Sequence, residues 1–222
     1  VKVLLREGPL LVVLGEARHE FRTFDARRES DVRALAGAVG FTGEVRSAEQ
    51  VHGTRILRPS DTGCGDAFLV GSGEAALVRH ADCWPVVVGD PRRARAVVAH
   101  CGWRGAAGHL AAASVRTLLS EGSRRSDLHA VVGPGIGPSS FETGEDVASR
   151  FPADCRTRTS WGTLSVDLGA FLVRELTHAG VLPHRILTDR RDTFTDRSLH
   201  SHRRDHAHAG RMGCLCLVQR LV

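Results

Sequence analysis

The sequence predicts an α+β chain of one domain, rich in short strands and served by a few helices. Three observations lead there. Apolar runs of strand length, bounded by Gly, Pro or Asp, recur through the first hundred residues and again at the end. Two stretches rich in Ala, Leu and Val, residues 105–120 and 166–179, have the length of helices. No linker, low-complexity tract or repeat divides the 222 residues, a length that can bury one substantial core.

Residues 3–5 and 10–14 read as two strands joined by a Gly-Pro turn. Ser30 or Asp31 can cap a helix that runs to Val39 and stops at Gly40. Residues 43–57 are extended, 61–66 form a loop rich in Gly and Asp, and 67–70 make another strand. Residues 74–88 are apolar and strand-like, interrupted by Asp82-Cys83-Trp84-Pro85. Asp90-Pro91-Arg92-Arg93 then turns between strands at 85–88 and 95–99, so the two outer ends of the hairpin lie side by side. The helix at 105–120 opens directly after His100-Cys101-Gly102-Trp103-Arg104, and its free N–H groups favour an anion. A buried strand at 128–132 leads into Gly133-Pro134-Gly135-Ile136-Gly137-Pro138, a stiff loop that either lines a pocket or only turns the chain. A short helix at 145–150, the helix at 166–179 with Gly180 as its stop, and a final strand at 214–218 complete the chain.

Composition narrows the function. No apolar run approaches the roughly 20 residues needed to cross a bilayer, so no membrane span is expected. Residues 1–14 are apolar but broken by Arg6, Glu7, Gly8 and Pro9, unlike a signal peptide, which points to a cytoplasmic location. Thirty basic residues against 25 acidic ones give +5, and Lys2 is the only lysine. Arginine binds phosphate bidentately, so this charge suits nucleic acid or a phosphate-bearing small substrate. The arginines are scattered, without a tract or an aromatic platform, which argues against nucleic acid. Of the six cysteines, Cys214 and Cys216 alternate in an apolar run and read as buried hydrophobes facing one way, while Cys64 and Cys155 have no evident partner.

Three clusters carry chemistry: Gln50-Val51-His52-Gly53, Asp82-Cys83-Trp84-Pro85 and His100-Cys101-Gly102-Trp103-Arg104-Gly105. Each offers one soft-metal ligand, His52, Cys83 and His100. Two imidazoles and a thiolate suit zinc, and three protein ligands leave a position open for water or substrate. Separate structural roles for the three residues weigh equally on chemistry alone. Gly53 and Gly102 permit close backbone approach, and Asp82 can act on a proton or orient a histidine. Arg104, at a helix start, suits either a charged group of the substrate or a salt bridge that fixes the turn. The segment from Asp189 to Arg211 holds Arg203, Arg204 and four histidines; it reads as a solvated loop or a second metal group, with Arg203 and Arg204 suited to anions.

Together with Asp66-Ala67, the 133–138 loop, Ser201-His202-Arg203-Arg204-Asp205 and Gly210-Arg211-Met212, these clusters resemble the laccase-domain family, also called YfiH-type multicopper polyphenol oxidoreductases. Its members are now regarded largely as purine nucleoside phosphorylases. The resemblance implies a layered α/β sandwich with mixed sheets, and zinc held by His52, Cys83 and His100. It implies phosphate-dependent cleavage of adenosine, inosine, guanosine and methylthioadenosine, with adenosine deamination as a second activity. Arg33 falls where the family carries a substrate-contacting arginine, although the usual asparagine before it is replaced by Asp31-Val32. Asp82 or Glu142 would move protons. Ser139 and Ser140 stand where the family often has paired cysteines, Asp192 replaces a further cysteine, His202 replaces a tyrosine, and Cys101 replaces an alanine. Three rivals remain. Copper in place of zinc would act on phenols; Cys83 with His100 or His52 as base would make a thiol hydrolase; a zinc-stabilised protein without catalysis would bind a partner.

Overall fold

The computed structural model describes residues 1–16, 18, 19 and 22–220. Among these residues the apolar runs become fifteen strands and the helical runs six α-helices. In chain order they begin β1 (Lys2–Glu7), β2 (Leu10–Gly15), β3 (Arg18–His19), β4 (Arg22–Thr23), α1 (Glu29–Gly37), β5 (Val45–Arg46) and β6 (Ile56–Leu57). Then come β7 (Ala67–Val70), β8 (Glu74–His80), β9 (Trp84–Asp90), β10 (Arg95–Cys101), α2 (Trp103–Ala107), α3 (Leu110–Ser120) and β11 (His129–Val132). The remainder is α4 (Glu145–Ala148), β12 (Arg156–Arg158), β13 (Leu164–Val166), α5 (Leu168–Ala179), β14 (Ile186–Thr188), α6 (His202–Asp205) and β15 (Met212–Val218).

Alternation along the strands decides the layers. On β15, Cys214, Cys216 and Val218 enter one apolar layer while Leu215 and Leu217 enter another. A strand buried on both faces must lie inside a sandwich, and β15 is the middle strand of the sheet β1-β2-β15-β8-β5. The second large sheet runs β14-β11-β9-β10-β7-β6. Both are mixed: β5 pairs with β8, β6 with β7 and β11 with β14 in parallel, and the other neighbours are antiparallel. Val12, Val78 and Cys216 of the first sheet meet Phe68, Val98 and Val131 of the second. Helix α1 covers the outer face of the first sheet through Leu35 and Ala36. The outer face of the second is covered by α2, α3 and α5, with Leu110, Leu118, Leu172 and Leu176 in its core. Each leucine buried so fully contributes about 1.5–3 kcal/mol. The layered α/β sandwich with mixed sheets is therefore the observed fold.

The β1–β2 and β9–β10 hairpins form where the sequence places them, and the 74–88 run divides into β8 and β9. Asp167 caps α5 through Ala170 N at 2.8 Å and Gly180 ends it at φ 107°. Three expectations are corrected. The helix expected at 105–120 is two helices, because the chain reverses at His109, with φ 62°. A methyl group on Gly108 would sit 2.5 Å from Thr54 Cγ2, so the break lets α2 pack on the segment after His52. Helix α1 begins at Glu29 after Arg28, leaving Asp31 inside its first turn, buried and accepting from Asp25 N. The helix expected at 145–150 stops at Ala148. No helix among the described residues is long and apolar enough to cross a membrane.

Candidate metal centre and its cavity

Register places two of the three ligands. His100 pairs with Pro85 and Cys101 with Trp84, so Cys83 lies one step beyond the end of the β9–β10 ladder, beside His100. Ala96 and Val98 of β10 face the layer between the sheets; His100, with the same alternation, points into the end of that layer. Cys101 faces the opposite core and takes no part. His52 arrives on the segment between β5 and β6. Gln50 anchors that segment by donating to Arg79 O and accepting from Arg79 N, each at 2.8 Å.

Asp66, which the sequence reading named in a motif but gave no role, ties the arrangement together. Its fully buried carboxylate accepts from Val51 N at 3.2 Å, His52 N at 2.9 Å and Gly53 N at 2.7 Å. His100 Nδ1 donates to the same carboxylate at 2.9 Å, which fixes the ring's tautomer and leaves Nε2 to bind a metal. The carboxylate thus positions one ligand through its ring and another through its backbone. His52 is held at φ 60°, and its ring meets that of His100 edge-on at 4.9 Å.

One ligand atom from each of His52, Cys83 and His100 lies within 4.8 Å of the others, the one such group among the described residues. Bonds of about 2.0–2.3 Å to a tetrahedral zinc place ligand atoms about 3.5 Å apart, so an ion closes the group with a small inward shift of the side chains. The donor set therefore fits. Gly102 makes room for it: a methyl group there would lie 2.9 Å from His52 Cδ2 and 3.0 Å from Cys83 Sγ. Gly53 has ordinary space around it, with Asp66 Oδ2 3.5 Å from the same position. Burial by itself pushes the Cys83 thiol up, but the charge and hydrogen bonds of His100 and His52 outweigh it and bring the thiol down to about 6. Burial pulls His100 down, yet the Cys83 thiolate and the Asp66 carboxylate raise it to about 9. Without metal, the two form a thiolate–imidazolium pair at neutral pH.

The three ligands open onto a cavity of about 570 Å³. Asp82 and Arg203 line it, as do four groups the sequence reading did not place there: Arg27, Arg79, Glu49 and His80. Arg211 completes the basic wall. His80 is fully buried, and burial drops its pKa to about 3, so it is neutral. Asp82 does not orient a histidine. It straps the 193–203 segment to the site, accepting from Thr193 Oγ1 and from Arg203 N at 2.6 Å each. Arg203 rests over Phe141 and donates to Glu142 O at 3.2 Å.

Three arginines expected to contact substrate or an anion do not line this cavity. Arg33 is exposed on α1 and pairs with Glu29. Arg104 stacks on Trp103, 4.3 Å from the ring centroid, on a helix of only five residues. Arg204 is a structural pin: its guanidinium donates to the carbonyls of Thr193, Phe194 and Leu199 and grips Asp205. The histidines of the same segment form no metal group among the described residues; His200 donates to Phe24 O and His202 to His206 O. The 133–138 loop both turns and lines. Gly133, Gly135 and Gly169 wrap the Trp84 ring too closely for any side chain, while Ile136 reaches the cavity. Two departures from the family pattern meet: Ser140 Oγ donates to Asp192 Oδ2 at 2.6 Å, and Asp192 Oδ1 accepts from Gly137 N and Phe194 N.

A family model described as multi-copper polyphenol oxidoreductase laccase matches residues 25–219. The chain belongs to this laccase-domain family. A purine nucleoside phosphorylase of Deinococcus radiodurans is 33% identical over 201 residues, 86% of this chain and 78% of the relative. One from Mycobacterium tuberculosis is 34% identical over 196 residues, 83% of this chain and 77% of the relative. A protein named adenosine deaminase RL5, from an unknown prokaryotic organism, is 36% identical over 74 residues, a third of this laccase-domain chain and 28% of that protein. The crystal structure of YlmD from Geobacillus stearothermophilus superposes with a TM-score of 0.84 at 25% identity, over 96% of this chain and 93% of that one.

Proposed function

We propose that residues 1–222 form one laccase-type domain that acts as a zinc-dependent purine nucleoside phosphorylase. Its substrates would be adenosine, inosine, guanosine and methylthioadenosine, with adenosine deamination as a second activity. The observation that carries this reading is the meeting of His52, Cys83 and His100 at a cavity whose wall holds the guanidinium groups of Arg27, Arg79, Arg203 and Arg211. Zinc held by the three residues would supply a Lewis acid with one open coordination position.

The rest of the chemistry belongs to the chain. In phosphorolysis an oxygen of phosphate bonds to C1′ of the sugar as the C1′–N9 bond breaks. The bonding pair leaves with the purine, which takes up a proton. Arg27 is paired with Asp25, and Arg79 and Arg211 each commit one nitrogen to backbone carbonyls; their remaining N–H groups, with Arg203, suit the phosphate and its charge. Phe141 and Ile136 give the base an apolar surface. Asp82 acts by position, each of its oxygens holding one of Thr193 and Arg203.

Incubating the zinc-loaded protein with adenosine and phosphate tests the reading: adenine and ribose 1-phosphate are expected, with inosine as the deamination product. Formation of none of these from any purine nucleoside would contradict it. A second reading, thiol hydrolysis by Cys83 with His100 as base, draws on the thiolate–imidazolium pair of the metal-free site. Ready alkylation of Cys83 in protein saturated with zinc would favour it.

A further inference from the structure

Of the two carboxylates that line the cavity, one is already committed. The Asp82 oxygens hold Thr193 and Arg203, and the Gln50 amide holds both backbone groups of Arg79. Glu49 lines the same cavity, and among the described residues its carboxylate has no hydrogen-bond or ion-pair partner, although four arginines share the wall. Its backbone is nonetheless fixed from both sides. Glu49 O accepts from Gly65 N at 3.0 Å, Ala48 O accepts from Arg79 Nη2 at 2.7 Å, and Gln50 is anchored as described. An exposed carboxylate on a backbone held from both sides, three residues from His52, is open to a ligand. An ionised carboxylate only accepts, so it seeks a group with donors. In a nucleoside, the ribose cis-diol presents two hydroxyl donors side by side, which one carboxylate can take together. The arginines, which only donate, suit the phosphate.

We infer that Glu49 selects ribosides by accepting hydrogen bonds from the 2′- and 3′-hydroxyls of the nucleoside. This assignment rests on the phosphorylase reading and makes Glu49 a specificity-determining residue, with no part in proton transfer. Calorimetry with inosine, 2′-deoxyinosine and 3′-deoxyinosine, on zinc-loaded protein without phosphate, measures binding apart from turnover. The unaltered protein should bind inosine about 10- to 100-fold more tightly than either deoxy compound, the range for a hydrogen bond to a charged acceptor. Glu49→Gln should lose that preference to within about threefold by weakening inosine alone, with zinc content and Tm unchanged. Two results overturn the assignment while leaving the phosphorylase reading intact. One is a Glu49→Gln protein that keeps the preference; the other is one that loses kcat with the binding ratio unmoved. A protein that binds none of the three nucleosides sinks both.

Discussion

Replacing Asp66 with Asn is the most searching perturbation of the site, because it keeps shape and removes only charge and one acceptor. The buried carboxylate accepts four hydrogen bonds, two on each oxygen: His100 Nδ1 and His52 N on one, Gly53 N and Val51 N on the other. The amide that replaces it turns one oxygen into a donor facing two donors. Each hydrogen bond to a charged acceptor contributes about 1.5–3 kcal/mol, and two backbone N–H groups left without a partner cost about 1–3 kcal/mol each. Local relaxation recovers part of this, which leaves a loss of about 3–5 kcal/mol. Much of it falls on the placement of His52 and His100, since loss of an outer partner of a metal ligand alone costs about 10- to 100-fold in affinity. The expected result is zinc affinity lower by about 100-fold in a chelator competition, with far-UV circular dichroism unchanged. An Asp66→Asn protein that holds zinc within threefold of the unaltered one would refute the positioning role.

Gly102→Ala should lower zinc affinity by tenfold or more, because its methyl group would crowd His52 and Cys83 at 2.9 and 3.0 Å; Gly53→Ala, with 3.5 Å of space, should change it less than threefold in the same competition. Zinc binding should release about one proton at pH 7–8, measurable by calorimetry in buffers of different ionisation heat. The metal-free Cys83 thiol, at about 6, has already lost its proton there, whereas His100, at about 9, still holds one. Zinc affinity should therefore climb about tenfold per pH unit toward 9 and fall more steeply below 6. Arg204→Ala should lower Tm by about 5–10 °C while leaving the KM for phosphate within about twofold; Arg203→Ala should do the reverse, raising that KM about tenfold. Asp192→Ala, which strips hydrogen bonds from Gly137, Ser140 and Phe194, should lower Tm by a similar amount with zinc content intact.

Much of the candidate metal centre was legible because two of its three residues end one hairpin. Two strong apolar runs around Asp90-Pro91-Arg92-Arg93 leave little choice of pairing, and pairing sets Cys83 beside His100. The alternation that buries both Cys214 and Cys216 on one face was equally plain. Asp66 was not, since an aspartate that acts through hydrogen bonds to residues up to 34 positions away leaves no local pattern. The break between α2 and α3 was hidden for a related reason. Ala- and Leu-rich propensity favours one continuous helix, and packing of α2 against Gly53 and Thr54 overrides it. The arginines were the least legible. A guanidinium at the end of a long side chain reaches several angstroms in any direction, so Arg204 spends its donors on loop carbonyls while its neighbour Arg203 faces the cavity.

The proposed chemistry requires one metal to join His52, Cys83 and His100. Elemental analysis of the purified protein, combined with alkylation of Cys83, measures this directly. One zinc per chain is predicted, with Cys83 resistant to alkylation until the metal is stripped and stoichiometry lost in Cys83→Ser. Protein that holds no metal after equilibration with zinc, or that keeps one zinc per chain with Cys83 alkylated, would contradict it.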